Sequence, residues 1–455
     1  MDFTTLTSLL SKVRADYADL RYEVKKEVQI VFSGRDLTQI SSTTTDGYVL
    51  RVLKEGGFST VVFTQEKDGE KAGRKAEENA LLIGRNIGEP VRLGRTEIIQ
   101  DHFFPQLDED PRAVDMEEKL AITRGYNQLP LKKEKIVTTQ IQYLELAREK
   151  YFVSTEGSRI REDLVTTRLG GTITSQEGTL TQTVRIGMGG SSGFARLRNQ
   201  EALFEEKTAI ALDLLKAEPV AGGTYPVILN PDLAGVFTHE AFGHYSEADL
   251  IEDSPSMLEK LQLGNQIGHP DLSITDDPTL PRQLGFYKYD DEGVACRPVS
   301  LITKGVLTGR LHSRRTAARF GEPLTGHSVA EDYRYAPIIR MGTIFIKPGT
   351  ATFDELLGRL DDGLYLVNAL GGQTSGENFT FGAEYGYAVN KGKRKGMIRD
   401  INISGNLYHT LKNIEGIGND LELSQLGGCG KGQTNIRSCH GGPHCLVRDV
   451  VVGGR

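Results

Sequence analysis

The sequence predicts an α+β fold, with an N-terminal domain of helices and antiparallel strands over residues 1–220 and a β-rich C-terminal domain over 221–455. Three observations predict it. Period-two alternation dominates Asp19–Phe63 and returns over Val137–Met188, helical periodicity falls in separate blocks, and the 52 glycines concentrate in the second half, where turn and strand signals prevail. At roughly 150 residues per domain, 455 residues exceed one ordinary core.

Taken in order, Phe3, Leu6, Leu9, Leu10 and Val13 share one helical face. Asp19–Val24, Val28–Phe32, Leu37–Ile40, Gly47–Leu53 and Ser59–Phe63 then alternate as a meander broken by Gly, Asp and Ser. Ala72, Ala76, Ile83 and Ile87 mark a second helix, and a third starts at Asp115 with Glu118 placed for a capping box. Leu180, Gln182, Val184, Ile186 and Met188 share one sheet face. Asn199 is placed to cap a helix from Gln200 to Lys216, and Glu218–Thr224 has the composition of a linker. A buried strand, Tyr225–Leu229, then feeds a helix whose start combines Asn230 at the N-cap with Pro231 at the first position. Farther on, Leu301–Ile302, Val306–Leu311, Leu364–Val367, Phe379–Phe381, Tyr385–Val389 and Met397–Ile403 have strand character and imply a glycine-rich sheet or barrel, with Lys391–Arg399 as a solvated hairpin turn.

The chemistry concentrates in His239-Glu240-Ala241-Phe242-Gly243-His244. Neutral imidazoles suit Zn²⁺, and a carboxylate beside the first one can take a proton from an activated water and return it to a leaving amine. The two histidines stand five apart rather than the four of HExxH, which on a regular helix leaves them about 140° apart. An extra residue in one turn, a π-bulge with Gly243 as its candidate position, would bring both to one metal. The plainer alternative is a core stripe of Leu233, Val236, Phe237, Glu240, Ala241 and His244; Glu240 tells against it, because a buried carboxylate is costly without a partner or a protonation role.

A catalytic site needs a third protein ligand. Glu247 and Asp249 lie close in sequence, while Cys429, Cys439, His440, His444 and Cys445 lie far along it. Gly427-Gly428-Cys429-Gly430-Lys431 is the most suggestive segment, since glycines allow close approach and Lys431 would favour thiolate. Cys439, His440, His444 and Cys445 offer four soft ligands in seven residues, but such close placement strains a tetrahedral site and reduced thiols in a terminal hairpin are the simpler account. Gly371–Gly376 is a candidate edge for strand addition by a peptide, and Tyr333, Tyr335 and Tyr385 are candidate oxyanion donors.

Net charge is −7, with 54 basic and 61 acidic residues and no long basic block, which argues against nucleic acid. The absence of an n-region, an h-region or 18 consecutive apolar residues predicts a soluble, cytoplasmic chain with no membrane span. Four cysteines make no disulfide framework.

Taken together with Asp291-Glu292-Gly293, Gly372-Gln373-Thr374-Ser375-Gly376, the Cys429 segment and the ending Val450-Val451-Val452-Gly453-Gly454, the His239–His244 element resembles the TldD/PmbA (TldD/TldE) family of zinc-dependent proteases, over nearly the whole chain. The resemblance implies His239, His244 and Cys429 as zinc ligands and Glu240 as general base and acid. It implies the active subunit, since the companion subunit lacks the metal motif, and a homodimer or a heterodimer with an inactive family member, with the site enclosed and unfolded peptides as substrates. Two other classes stand beside this one: a non-enzymatic regulator that binds a protein partner, and a metal-dependent amidohydrolase of small molecules.

Overall fold

The computed structural model describes residues 1–425, 427–434 and 437–454. Its mixture of segregated helices and sheets is the α+β class expected. The N-terminal half opens with α1 (Phe3–Leu10), β1 (Tyr17–Ser33), β2 (Asp36–Lys54), β3 (Gly57–Phe63) and α2 (Gly69–Asn86). It continues with β4 (Gln100–Phe103), α3 (Met116–Gln128), β5 (Ile136–Ser154), β6 (Arg159–Glu177), β7 (Leu180–Gly190) and α4 (Glu201–Leu214).

These strands form one sheet in the order β3-β2-β1-β5-β6-β4, with β7 also on β6. The expected short meander is fewer, longer strands: Val28–Phe32 continues the strand begun at Asp19, because the polar residues Lys25–Glu27 between them pair in register with both β2 and β5. Val184, Ile186 and Met188 are buried on one face, as their alternation predicted.

Three local expectations are corrected. The second helix buries Ala72, Gly73, Ala76 and Ala80, whereas Ile83 and Ile87 are exposed, since small side chains let the helix sit close to the sheet. Asp115 does cap α3, but no capping box forms; Glu118 reaches Arg198 instead at 2.7 Å. Asn199 adopts a left-handed φ of 57° and Gln200 takes the cap position of α4.

The stretch expected as a linker is paired backbone. β8 (Glu218–Pro219) pairs with Ile398–Arg399, and β9 starts at Gly223 and runs to Leu229. Five strands then close on themselves: Gly363–Ser375 pairs with β9, β9 with Cys445–Gly454, that strand with Ile401–Asn406, that with Asn378–Asn390, and the last with Gly363–Ser375 again. Of the sheet or barrel foreseen, the closed form is present. Its apolar filling joins Val227, Leu229, Phe379, Phe381, Ile401 and Val452 to Leu233, Phe237 and Phe242 of the helix that follows β9.

The two halves are joined by buried ions. Asp291 takes Arg21 at 3.0 Å and Lys150 at 3.0 Å, and Glu292 takes Arg51 at 2.7 Å. Fully buried charges persist only when paired and hydrogen-bonded, and here each carboxylate from the C-terminal half meets cations of the N-terminal sheet. No helix among the described residues is long and apolar enough to cross a membrane.

Candidate metal centre

The helix after β9, α5 (Pro231–Phe237), starts as its sequence dictates: Asn230 Oδ1 accepts from Leu233 N at 3.0 Å, and Pro231 fills the first position, where no amide donor is needed. Thr238–Phe242 then widens into a π-helical turn, and Gly243–Ser246 tightens into a 3-10 turn. The widening therefore precedes Gly243 rather than falling on it. Gly243 serves packing instead: a Cβ there would lie 2.2 Å from Met341 Sδ, so the methionine side chain would have to shift.

The wide turn lets the two imidazoles meet, with ring centroids 5.2 Å apart and planes at 90°. Cys429 arrives from the far end of the chain, its Sγ 2.9 Å from His239 Nε2 and 3.5 Å from His244 Nε2. The three donor atoms all lie within 4.8 Å of one another. Tetrahedral zinc with ordinary Zn–N and Zn–S bonds would hold N and S about 3.5 Å apart, so the cluster has the dimensions of a metal centre. The donor set of two imidazoles and one sulfur suits zinc, and His239 Nδ1 is buried with no hydrogen-bond partner among the described residues, so its ring is held by packing and by whatever its Nε2 binds.

His244 is oriented from behind. Its Nδ1 lies 3.1 Å from Glu247 Oε2, so with the proton on Nδ1 the Nε2 lone pair faces Cys429. Glu247 and Asp249, weighed as ligands on sequence, instead hold Lys431, at 3.0 and 2.8 Å. That ion pair corrects the role foreseen for Lys431: its charge is spent on two carboxylates rather than on the thiol. Burial drives the His239 imidazole well below its ordinary value, with His244 and His440 adding to the effect. At His244 burial opposes protonation, but the bonds to Cys429 and Glu247 outweigh it and raise the group to about 10. Burial would likewise raise Glu247, yet the hydrogen bond with His244 and the charge of Lys431 hold it below the usual carboxylate range.

Glu240 is half-buried and lines a cavity of about 430 Å³ together with His239, Asp232, Gly371, Gly372 and His440. Its carboxylate has no hydrogen-bond partner among the described residues, and burial raises its pKa. The Gly363–Ser375 strand passes beside it: Thr374 Oγ1 donates to Glu240 O at 2.7 Å. That strand pairs with β9 only at Leu364–Leu366, so from Ala369 onward just one of its edges is taken among the described pairings.

Other sequence candidates lie elsewhere. Cys439 Sγ donates to Ser424 O, Cys445 Sγ to Pro443 O, and His444 Nδ1 sits 2.6 Å from Asp420, so the four soft ligands diverge as the simpler account held. His440 alone turns to the cleft, 3.5 Å from Asp232 Oδ1 and with its ring 6.1 Å from that of His239. Tyr333 packs across Gly47, the Tyr335 carbonyl accepts from Arg21, and Tyr385 belongs to a core cluster shared by the two halves, and none of the three lines the cavity. Sequence reasoning missed Asp232 as a cleft residue, although it stands in the Asn230-Pro231-Asp232 helix start, and it missed Arg340, fully buried 4.0 Å from Glu247 Oε1, for which no sequence signal exists.

Residues 18–80, 109–217 and 222–454 match the models of domain 1, the central domain and the C-terminal domain of the PmbA/TldA metallopeptidases. A metalloprotease of Synechocystis is 35% identical over 99% of this chain and 98% of its own. A zinc metalloprotease TldD homolog of Saccharolobus solfataricus is 32% identical over 97% of both. Among solved structures, TldE from Thermococcus kodakarensis shares the fold at a TM-score of 0.79 and 16% identity, over 99% of each chain. A candidate modulator of a DNA gyrase from Thermotoga maritima does so at 0.80 and 22%, again over 99% of each. The chain belongs to the TldD/PmbA family of metallopeptidases.

Proposed function

We propose that the chain is a zinc-dependent peptidase that cleaves unfolded peptides, with Glu240 as general base and acid. The observation that carries this reading is the Glu240 carboxylate on the cavity wall, without a partner among the described residues and next in sequence to a donor of the His239, His244 and Cys429 cluster. His239 Nε2, His244 Nε2 and Cys429 Sγ would hold the metal. Bound there, Zn²⁺ supplies a lowered pKa for water and positive charge for a carbonyl oxygen. Glu240 accepts the proton of the attacking water and passes it to the departing amine; its burial-raised pKa brings it nearer to the value that serves both transfers. The open edge of Ala369–Ser375 pairs with the extended peptide backbone, which accepts many sequences but requires an unfolded segment.

A dimer, either of two such chains or with a family member lacking the motif, would wall off the cleft from folded proteins. The same donors would also serve hydrolysis of small amides, and a regulator that only binds a partner would need the metal but not Glu240.

Incubation with an unfolded polypeptide, and separately with small N-acyl amides, tests the reading. We expect peptide-bond cleavage that a chelator abolishes and zinc restores, and a loss of about 10²- to 10⁴-fold in Glu240→Gln with metal content unchanged. Cleavage by Glu240→Gln at the rate of the parent would overturn the assignment, and hydrolysis of small amides alone would move the reading to an amidohydrolase.

A further inference from the structure

A second cavity, of about 360 Å³, opens on the N-terminal sheet. Its floor follows from strand alternation and register: Glu27, Leu146 and Thr166 form one cross-strand row of β1, β5 and β6, and Gln29, Leu144 and Arg168 form the next. The other wall comes from the C-terminal half, with Leu284, Glu331 and Arg437. Cys439 Sγ lies 3.8 Å from Oε1 of Gln283, the chain neighbour of the lining residue Leu284, whereas the next residue of the same strand, His440, faces Asp232 and His239. Successive strand residues point to opposite faces, so this cavity lies across the strand from the metal centre.

Its arginines hold no carboxylate within ion-pair distance among the described residues, although Glu162 favours the Arg437 charge from farther away. The Arg437 guanidinium donates to Thr166 Oγ1 at 2.5 Å, Ser191 Oγ at 2.6 Å and Phe286 O at 3.1 Å, all neutral, and its Nε is buried with no partner. Arg168 Nε is buried without a partner as well, and neither arginine has a carboxylate within ion-pair distance among the described residues. Of the acids of the cavity, Glu27 lies 3.4 Å from Lys25, and Glu331 accepts from the amide of Thr434 at 2.8 Å, which fixes its carboxylate away from the arginines without neutralising it. Unpaired buried cations are costly, and burial depresses both, Arg437 to about 9. A bound carboxylate would remove that cost.

We propose that this cavity binds the C-terminal residue of a peptide, its carboxylate on Arg168 and Arg437 and an aliphatic side chain on Leu144 and Leu146. The leucine wall selects a carboxylate that carries an apolar group over inorganic phosphate, and guanidinium matches carboxylate geometry in a two-pronged bond. The proposal rests on the peptidase reading for the source of its ligand, and its test reads binding rather than turnover, so the two fail separately.

Calorimetric titration of the metal-loaded protein with N-acetyl-leucine, N-acetyl-leucinamide and inorganic phosphate tests it, with Arg168→Gln as the variant. We expect N-acetyl-leucine to bind, the amide at least tenfold more weakly, phosphate more weakly than the acid, and Arg168→Gln to lose at least tenfold for the acid alone. Acid that does not bind at millimolar concentration, equal binding of acid and amide, tighter binding of phosphate, or unchanged binding by Arg168→Gln would each overturn it. The comparison of acid with amide on the parent protein needs no variant to fold.

Discussion

Glu247 Oε2 stands 3.1 Å from His244 Nδ1, and this contact decides which nitrogen of His244 faces Cys429. Such supporting carboxylates commonly account for 10- to 100-fold in metal affinity. Glu247→Ala is therefore expected to weaken zinc binding by about that factor, measured by competition with a chromogenic chelator, while the motif donors remain in place. Unchanged affinity would show that packing alone orients the imidazole.

Metal uptake is expected to be pH-dependent. In the metal-free protein, the bonds to Cys429 and Glu247 raise His244 to about 10, so this imidazole carries a proton at neutral pH and must release it to bind metal. Below that value, each unit of pH increase should raise apparent affinity by up to about tenfold from this group. Chelator competition at two pH values, with proton release followed in weak buffer, checks the sign; affinity that falls with rising pH contradicts it.

Close backbone approach makes one helix glycine irreplaceable and leaves another free. A Cβ on Gly235 would lie 2.7 Å from the backbone of Gly441, which cannot swing away, whereas nothing lies within 4 Å of one on Gly358 in the Phe353–Leu360 helix. Thermal unfolding should show Gly235→Ala destabilised by at least about 1–3 kcal/mol. Gly358→Ala should be stabilised by about 0.4–1 kcal/mol.

The joint between the halves is expected to be intolerant of single cuts. Arg51 spans Asp19 at 2.6 Å and Glu292 at 2.7 Å in nearly full burial, and removing one member of such a set strands the others. Arg51→Ala should cost about 3–5 kcal/mol in denaturant unfolding. A loss below about 1 kcal/mol would mean that water reaches Glu292.

What was legible in the chain follows the range of the forces involved. The cap at Asn230-Pro231, the alternation of Val184, Ile186 and Met188 and the need for a widened turn between His239 and His244 are local, and each depends on residues within a few positions. Helix edges were less legible where a tertiary partner competes: Glu118 leaves its capping box for Arg198, and the sheet draws in Ala80 rather than Ile83. The approach of Cys429 to His239 spans 190 residues, and no periodicity encodes it; nor does any encode Arg340 beside Glu247. Those contacts depend on how the closed strands bring the C-terminal segment back over α5.

The central claim is that His239, His244 and Cys429 form one metal centre, and zinc content per chain tests it most directly. Elemental analysis of the parent protein should give about one zinc, lost in Cys429→Ala and kept in Cys439→Ala, whose thiol bonds Ser424 away from the cluster. Retention of zinc by Cys429→Ala would contradict the account, since the sulfur that the fold brings to both imidazoles would then hold no metal.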